Sequence, residues 1–284
     1  MRFRRLLIIL TLLVLACPAA RASMFSEETP APAPAPTAQP TQTPAPTPSL
    51  APSGFTLEVV SPAAREETRA FRVLIYHTHT YEAYTATDEM AYTPTEQWRT
   101  ANAERNVVAV GTYLAELLSA AGVEVVHDTT AFEPPKLSGA YERSLEMLRG
   151  RQAAGESYDL YIDLHRDAYS ENNGPNTVEK DGESIARLLF LIGKGTGQTG
   201  AGYAEKPDWE SNRVIAQALS NRLNLQCEGL CRGVSLKSGR YNQHVAACCV
   251  LIEVGNNRNT LEEALAAMPF LANAICALAD GQVE

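Results

Sequence analysis

The chain has little of what usually announces a function. Aromatic residues make up 7% of its 284 positions, with 2 tryptophans, and histidine occurs 5 times. No Gly-x-Ser-x-Gly elbow and no P-loop is present, and Gly193-Lys194-Gly195-Thr196-Gly197 lacks the spacing of a phosphate cradle. The usual serine-hydrolase and nucleotide-binding signatures are therefore missing. A basic surplus is missing too: the formal net charge is −9, and setting aside Arg2, Arg4, Arg5 and Arg21 of the leader makes it more negative. Nucleic acid is thus not an expected partner, since its binding rests on neutralising phosphates. Residues 6–16 form the apolar run of the leader, short of the roughly 20 residues a bilayer span needs.

Cysteine is scarce and odd in number once Cys17 is assigned to the leader. Cys227, Cys231, Cys248, Cys249 and Cys276 remain, so one at least is unpaired within the chain. Cys227 and Cys231 flank a short Glu-Gly-Leu turn and are the candidates for a small disulfide. Cys248 and Cys249 open a strand and read as buried apolar residues. No histidine stands at a telling position beside a cysteine, which leaves a thiol nucleophile unsupported.

What is present divides the chain into three parts. Residues 1–22 carry basic Arg2, Arg4 and Arg5 ahead of the apolar run, the pattern of a signal peptide or membrane anchor. Cleavage after Ala20-Arg21-Ala22, lipidation at Cys17 and retention as a short anchor all remain open, and each places the body outside the cytoplasm. Residues 23–62 form a linker, rich in Pro, Ala and Thr from 29 to 53, which cannot bury a core and favours extended polyproline II. At about 3.1 Å per residue that stretch reaches roughly 80 Å. Residues 63–284 are the remaining domain.

In that domain, apolar runs at 73–76, 123–126, 158–164, 188–192 and 250–254 read as five strands covered on both faces. Between them, Val107, Val110, Leu114, Leu117 and Leu118 recur at helical spacing and stop at Gly122. A second helix runs over 209–223 behind Asp208, with Val214, Ile215, Ala218 and Leu219 on one face. A third begins at a capping box of Asn259 and Glu262. The polar segment 167–183 reads as a loop and hairpin. The expected fold is α/β: a single domain with a central, mostly parallel twisted sheet flanked by helices.

Open sheets of this kind build their sites at the carboxyl ends of parallel strands. His79-x-x-Glu82 follows the first run, His165 ends the third, and Glu253 ends the last. Catalytic zinc takes three His or carboxylate ligands plus water, so His79, Glu82 and His165 are the candidate metal ligands. Glu253 is then the candidate general base. Glu104, at the start of the first helix, is the rival carboxylate for the metal. His77 is a candidate for supporting or facing the site. Asp163 and Asp167 are equal candidates to receive the second imidazole N–H of His165. His127 reads as a surface or loop histidine. Arg166 and Arg240 are candidate contacts for substrate carboxylates or a developing oxyanion.

The residues that carry this pattern also resemble a family. Leu-Ile-Tyr-His-Thr-His-Thr-Tyr-Glu-Ala-Tyr at 74–84, His-Asp-Thr-Thr at 127–130, Asp-Leu-His-Arg-Asp at 163–167, Arg-Tyr-Asn-Gln at 240–243 and Leu-Ile-Glu-Val-Gly-Asn at 251–256 are similar, in order, to stage II sporulation protein P. His244 departs from the acidic residue expected after Arg-Tyr-Asn-Gln. The resemblance implies an extracytoplasmic, membrane-tethered, zinc-dependent N-acetylmuramoyl-L-alanine amidase with endopeptidase capacity, thinning septal peptidoglycan during spore engulfment. It implies a zinc amidase and carboxypeptidase-like fold, and as partners a lytic transglycosylase and membrane proteins of the engulfment machinery. Two other readings stay open: a zinc carboxypeptidase or endopeptidase acting within the stem peptide, and a tethered wall-binding module without catalysis.

Overall fold

The computed structural model describes residues 70–168 and 176–282. The leader and all of the Pro-rich linker lie outside the described residues. The elements run β1 (Arg72–Tyr76), α1 (Val107–Ala120), β2 (Glu124–His127), α2 (Ala140–Ala153), β3 (Leu160–Asp167), β4 (Thr177–Lys180), β5 (Glu183–Ala186), β6 (Leu188–Gly193), α3 (Trp209–Gln226), β7 (Cys231–Lys237), β8 (Cys249–Asn256), α4 (Leu261–Ala266) and α5 (Met268–Ala279).

Six strands form one sheet in the order β2-β1-β3-β8-β6-β7, and β4 pairs with β5 in a separate hairpin. The first four of that order are parallel, while β6 runs antiparallel to β8 and carries β7 parallel to itself. The sheet is therefore mostly parallel, as the sequence predicts. The five expected strands are β1, β2, β3, β6 and β8. The sixth, β7, was not expected, because Arg232, Gly233, Ser235 and Lys237 interrupt its apolar pattern at an edge where one side meets solvent.

The pleat sorts the core into two unequal halves. Val73, Ile75, Ile162, Leu164, Val250, Ile252 and Val254 face one way into a large cluster with α1, α3, α4 and α5. Leu74, Tyr76, Tyr161 and Cys249 face the other way into a small cluster closed by Leu148 of α2 and Val245. One sheet face thus carries four helices and the other a single helix and loops. The lightly covered face is where polar side chains collect.

Helix ends follow local chemistry. Asn106 caps α1 by accepting from the Val108 N–H at 2.9 Å, and Gly122, at φ +86°, leaves it. Asp208 caps α3 as expected; Ala218 and Leu219 are buried and Ile215 packs on the core as expected, while Val214 is 60% exposed and Asn212, Ala216 and Leu223 complete the buried stripe. The capping box of the last helical stretch is Thr260 with Glu263, one residue beyond the expected pair, because the Asn259 side chain turns back to accept from the Asn256 N–H. Residues Leu261–Ala279 are apolar and long enough to cross a membrane, yet they are packed into the larger core cluster. α2 was not expected either: its low hydrophobicity reflects a helix that buries only Ala140, Ser144 and Leu148. Cys227 and Cys231 are free thiols and not a disulfide, and the Cys231 sulfur takes the Gly233 N–H at 3.4 Å.

Candidate functional site at the carboxyl ends of the strands

His165 and Glu253 are register partners across β3 and β8, so their side chains emerge side by side on the lightly covered face. β1 ends at Tyr76 and the chain turns over residues 78–81, which brings the His79 ring to 5.4 Å from the His165 ring, edge to face. Glu82 closes the same turn through its N–H to the His79 carbonyl. Its carboxylate lies 3.3 Å from His165 Nδ1 and accepts the Arg166 N–H at 3.2 Å. The structure therefore brings together His79, Glu82, His165 and Glu253. Glu104 is exposed at the mouth of α1.

Support for this group comes from Asp163, which is 1% exposed. Its carboxylate accepts the Thr78 N–H at 2.8 Å and the Thr78 hydroxyl at 2.7 Å, and lies 2.7 Å from His165 Nε2. Asp163 and not Asp167 is thus the carboxylate behind His165; Asp167 pairs with Arg232 at 3.0 Å.

Burial sets the charges. Glu253 is pushed up to about 8 by burial, with the nearby negative charges of Glu82 and Asp167 adding to it and His165 and Arg166 opposing. Burial acts upward on Glu82 as well, but the hydrogen bond and charge of His165, with Arg166 and His79, outweigh it and hold Glu82 well below the usual carboxylate range. For His165 burial favours the neutral ring, and Asp163 and Glu82 overcome it, driving the ring towards the charged form. Two carboxylates in one pocket are thereby split into a proton-poor and a proton-rich member, the arrangement that acid–base chemistry uses.

Among the described residues, no three His, Cys, Asp or Glu side chains close on one point as a finished metal cage. The donor set nonetheless fits zinc. His79 Nδ1 is buried without a hydrogen-bond partner, and His165, with Asp163 2.7 Å behind its Nε2, turns Nδ1 towards Glu82; Glu253 Oε2, also unpartnered, is left for acid–base work. The 3.3 Å between Glu82 and His165 Nδ1 is too long for a strong hydrogen bond. A buried imidazole and a carboxylate held side by side without a strong hydrogen bond between them are donors of the kind zinc takes.

Several residues stand elsewhere than their sequence positions suggest. His77 continues the alternation of Val73 and Ile75, so it points into the heavily covered face, away from the site. It is fully buried, with Nδ1 2.8 Å from the Leu164 carbonyl and Nε2 2.8 Å from His127 Nε2. His127, half-buried at the end of β2, is accordingly the partner of buried His77 and not a loop histidine. The Arg166 guanidinium donates to the Ala83 and Trp98 carbonyls at 3.0 and 3.2 Å, pinning the His79–Glu82 turn. Arg240 donates to the Gly202 carbonyl at 2.9 Å and stacks on Tyr203 at 4.7 Å. The Arg166 guanidinium is thus tied to that turn through Nε and Nη2, and that of Arg240 to the Gly202 carbonyl through Nη1.

Two site residues escaped the sequence reading. Glu133 is buried beside His79, 3.4 Å from Nδ1, in a close ion pair with Arg99. Tyr141, at the start of α2, sets its ring edge to face with His79 at 5.5 Å. Glu133 follows β2 at the same carboxyl end, a placement that could have flagged it. Tyr141 had no signal, because its helix was not foreseen.

Comparison with known proteins gives three consistent solved structures: the N-acetylmuramoyl-L-alanine amidase AmiC2 of Nostoc punctiforme (14% identity, TM-score 0.41, 72% of this chain and 93% of that one), the CwlD amidase of Clostridioides difficile in complex with the GerS lipoprotein (13%, 0.44, 72% and 93%) and the amidase Ami1 of Mycobacterium smegmatis (12%, 0.41, 75% and 98%). No curated protein matches the sequence. The sequence profile of stage II sporulation protein P matches residues 26–276, and the chain belongs to that family.

Proposed function

We propose that this chain is a zinc-dependent peptidoglycan hydrolase of sporulation that cleaves the N-acetylmuramoyl-L-alanine amide. The observation that carries the reading is the buried pair of His165 and Glu253 on adjacent strands, with His79 and Glu82 folded back onto them. In this reading His79, Glu82 and His165 hold the zinc, and Glu82 takes precedence over the exposed Glu104. Zinc, when bound, supplies Lewis-acid polarisation of the carbonyl and lowers the pKa of water. Glu253 takes a proton from the attacking water and returns it to the leaving amine, a role suited to a carboxylate whose proton affinity burial has raised. Asp163 fixes the orientation of His165, and Arg166 fixes the turn that carries His79 and Glu82. The leader and Pro-rich linker would tether the domain outside the cytoplasm, within reach of septal peptidoglycan and of protein partners in the engulfment machinery.

The test is zinc stoichiometry and muropeptide release from purified wall. Wild type should carry one zinc per chain and release glycan and free stem peptide. Glu253→Gln should keep the zinc and the fold and lose at least about 100-fold in release. Undiminished release by Glu253→Gln, or products cut within the stem peptide alone, would defeat the assignment.

A further inference from the structure

Two clefts share Leu137 and each has one lining residue beside His79, and their chemistry differs. The larger, about 600 Å³, runs past Tyr141, Tyr203, Arg240, Tyr241 and Asn242. The smaller, about 300 Å³, runs past Tyr81, Glu96, Arg99, Glu133 and Lys136. Leu137, half exposed, lines both. The Tyr141 ring stands edge to face with the His79 ring at 5.5 Å, and Glu133 lies 3.4 Å from His79 Nδ1. A third cleft, between α3 and the C-terminal turn, has no histidine or carboxylate in its lining.

The aromatic cleft is built, not incidental. Tyr241 and Asn242 are consecutive non-glycine residues at φ +49° and +53°, a left-handed conformation that side chains rarely adopt. The surroundings enforce it: Asn242 Nδ2 donates to the Tyr141 carbonyl at 2.7 Å and to the Ser144 hydroxyl at 3.0 Å. Gln243 accepts the Gly193 N–H and donates to the Leu191 carbonyl, each at 2.8 Å. The Tyr241 ring lies on bare backbone, since a Cβ at Gly239 would sit 2.6 Å and one at Gly193 2.7 Å from its carbons. Its edge-to-face partner at 5.9 Å is Tyr141. Strain of this kind persists where the surrounding contacts over-determine it, and it collects at ligand clamps.

The clefts differ in their balance of aromatic and ionic side chains. The aromatic cleft sets three tyrosines and the unpaired Gln198 side-chain oxygen beside two ionic residues, exposed Glu142 and Arg240, which donates through Nη1 to the Gly202 carbonyl and stacks on Tyr203. The smaller cleft holds Glu96, Arg99, Glu133 and Lys136. The scissile amide proposed above joins unlike halves: an uncharged pyranose with apolar ring faces, and a peptide bearing carboxylates. Flat apolar faces with a few placed polar groups suit the first, and ionic side chains suit the second. Resting on the reading of the chain as a peptidoglycan amidase, we infer that the cleft of Tyr141, Tyr203 and Tyr241 is the glycan subsite, with the stem peptide leaving past Arg99 and Lys136. The Arg-Tyr-Asn-Gln motif is then the scaffold of a sugar platform.

Calorimetric titration of the full-length protein with two probes tests this, namely a tetramer of N-acetylglucosamine and the free stem tetrapeptide. The sugar should bind wild type saturably, Tyr241→Ala and Tyr203→Ala should each weaken it about tenfold, and Tyr241→Phe should largely restore it. Peptide affinity should stay within about twofold across the set. Tyr203 lies on a short surface turn, so Tyr203→Ala keeps the test intact if Tyr241→Ala fails to fold. No sugar binding by wild type, sugar affinity unchanged in folded variants, or selective loss of peptide binding would overturn the inference. Sugar binding that falls in the variants, while wall digests show cuts within the stem peptide only, would sink the amidase reading and leave the subsite standing.

Discussion

Replacing glycine by alanine at two helical positions should change stability in opposite directions. Gly111 lies on the buried face of α1, and a Cβ there would stand 2.6 Å from His77 Nε2, 2.7 Å from His77 Cε1 and 2.8 Å from His127 Nε2. Ordinary contact needs about 3.5–4 Å, so the imidazole pair must retreat by about 1 Å. It cannot do so freely: His77 Nδ1 is engaged by the Leu164 carbonyl, and its Nε2 by His127. Overpacking of a fixed core costs about 1–3 kcal/mol, and a strained or lost buried hydrogen bond adds about 1 kcal/mol. The intrinsic gain of alanine over glycine in a helix returns about 1 kcal/mol. Gly111→Ala is therefore expected to destabilise by about 2 kcal/mol, or about 4–8 °C in Tm for a domain of this size. Gly150 of α2 is exposed and a Cβ there meets nothing within 4 Å. Gly150→Ala should stabilise by about 0.5–1 kcal/mol. Urea unfolding of both variants, with metal chelated, decides it. A stabilised Gly111→Ala would mean that the histidine pair does not fill the space beneath α1, and the account of that face would be wrong.

Other perturbations have equally definite outcomes. Burial holds His77 near 3 and His127 near 4, against about 6.5 in an unfolded chain. The folded state thus binds fewer protons, so the stability from this pair is complete above about pH 6.5 and drains as pH falls from there towards about 3. His127→Asn should flatten that acid slope in urea midpoints, and an unchanged slope would refute the assignment. Thr260→Ala removes the hydroxyl that receives the Glu263 N–H at 3.2 Å and should cost about 1 kcal/mol, read as a lowered urea midpoint. Glu82→Gln should weaken zinc binding by at least about 100-fold while Glu104→Gln leaves it unchanged; equilibrium dialysis giving the reverse order would transfer the ligand role to Glu104.

How much was legible in the sequence depends on whether a residue's role follows from its own strand or from a neighbour. β1, β3 and β8 declared themselves because strands buried on both faces are apolar at nearly every position, and His165 and Glu253 stood out as ionisable residues towards the ends of those apolar runs. β7 and α2 did not, being an edge strand and a half-exposed helix whose patterns carry solvent-facing residues. His77 and His79 are two residues apart in sequence yet serve opposite faces of the sheet, since β1 ends at Tyr76 and the chain turns directly after His77. No spacing rule separates a ligand from a core histidine across such a turn.

The sequence by itself determined the class of fold, the strand ends that carry the polar groups, and the chemical kinds gathered there, because hydrophobic period and strand termination are local properties. Only the tertiary structure decided which carboxylate stands against His165, that Arg166 and Arg240 are occupied by carbonyls, and that Tyr141, Tyr241 and Glu133 border His79. Those outcomes depend on register between strands distant in sequence and on burial, which sets the proton affinity of Glu253; neither is encoded in any single segment.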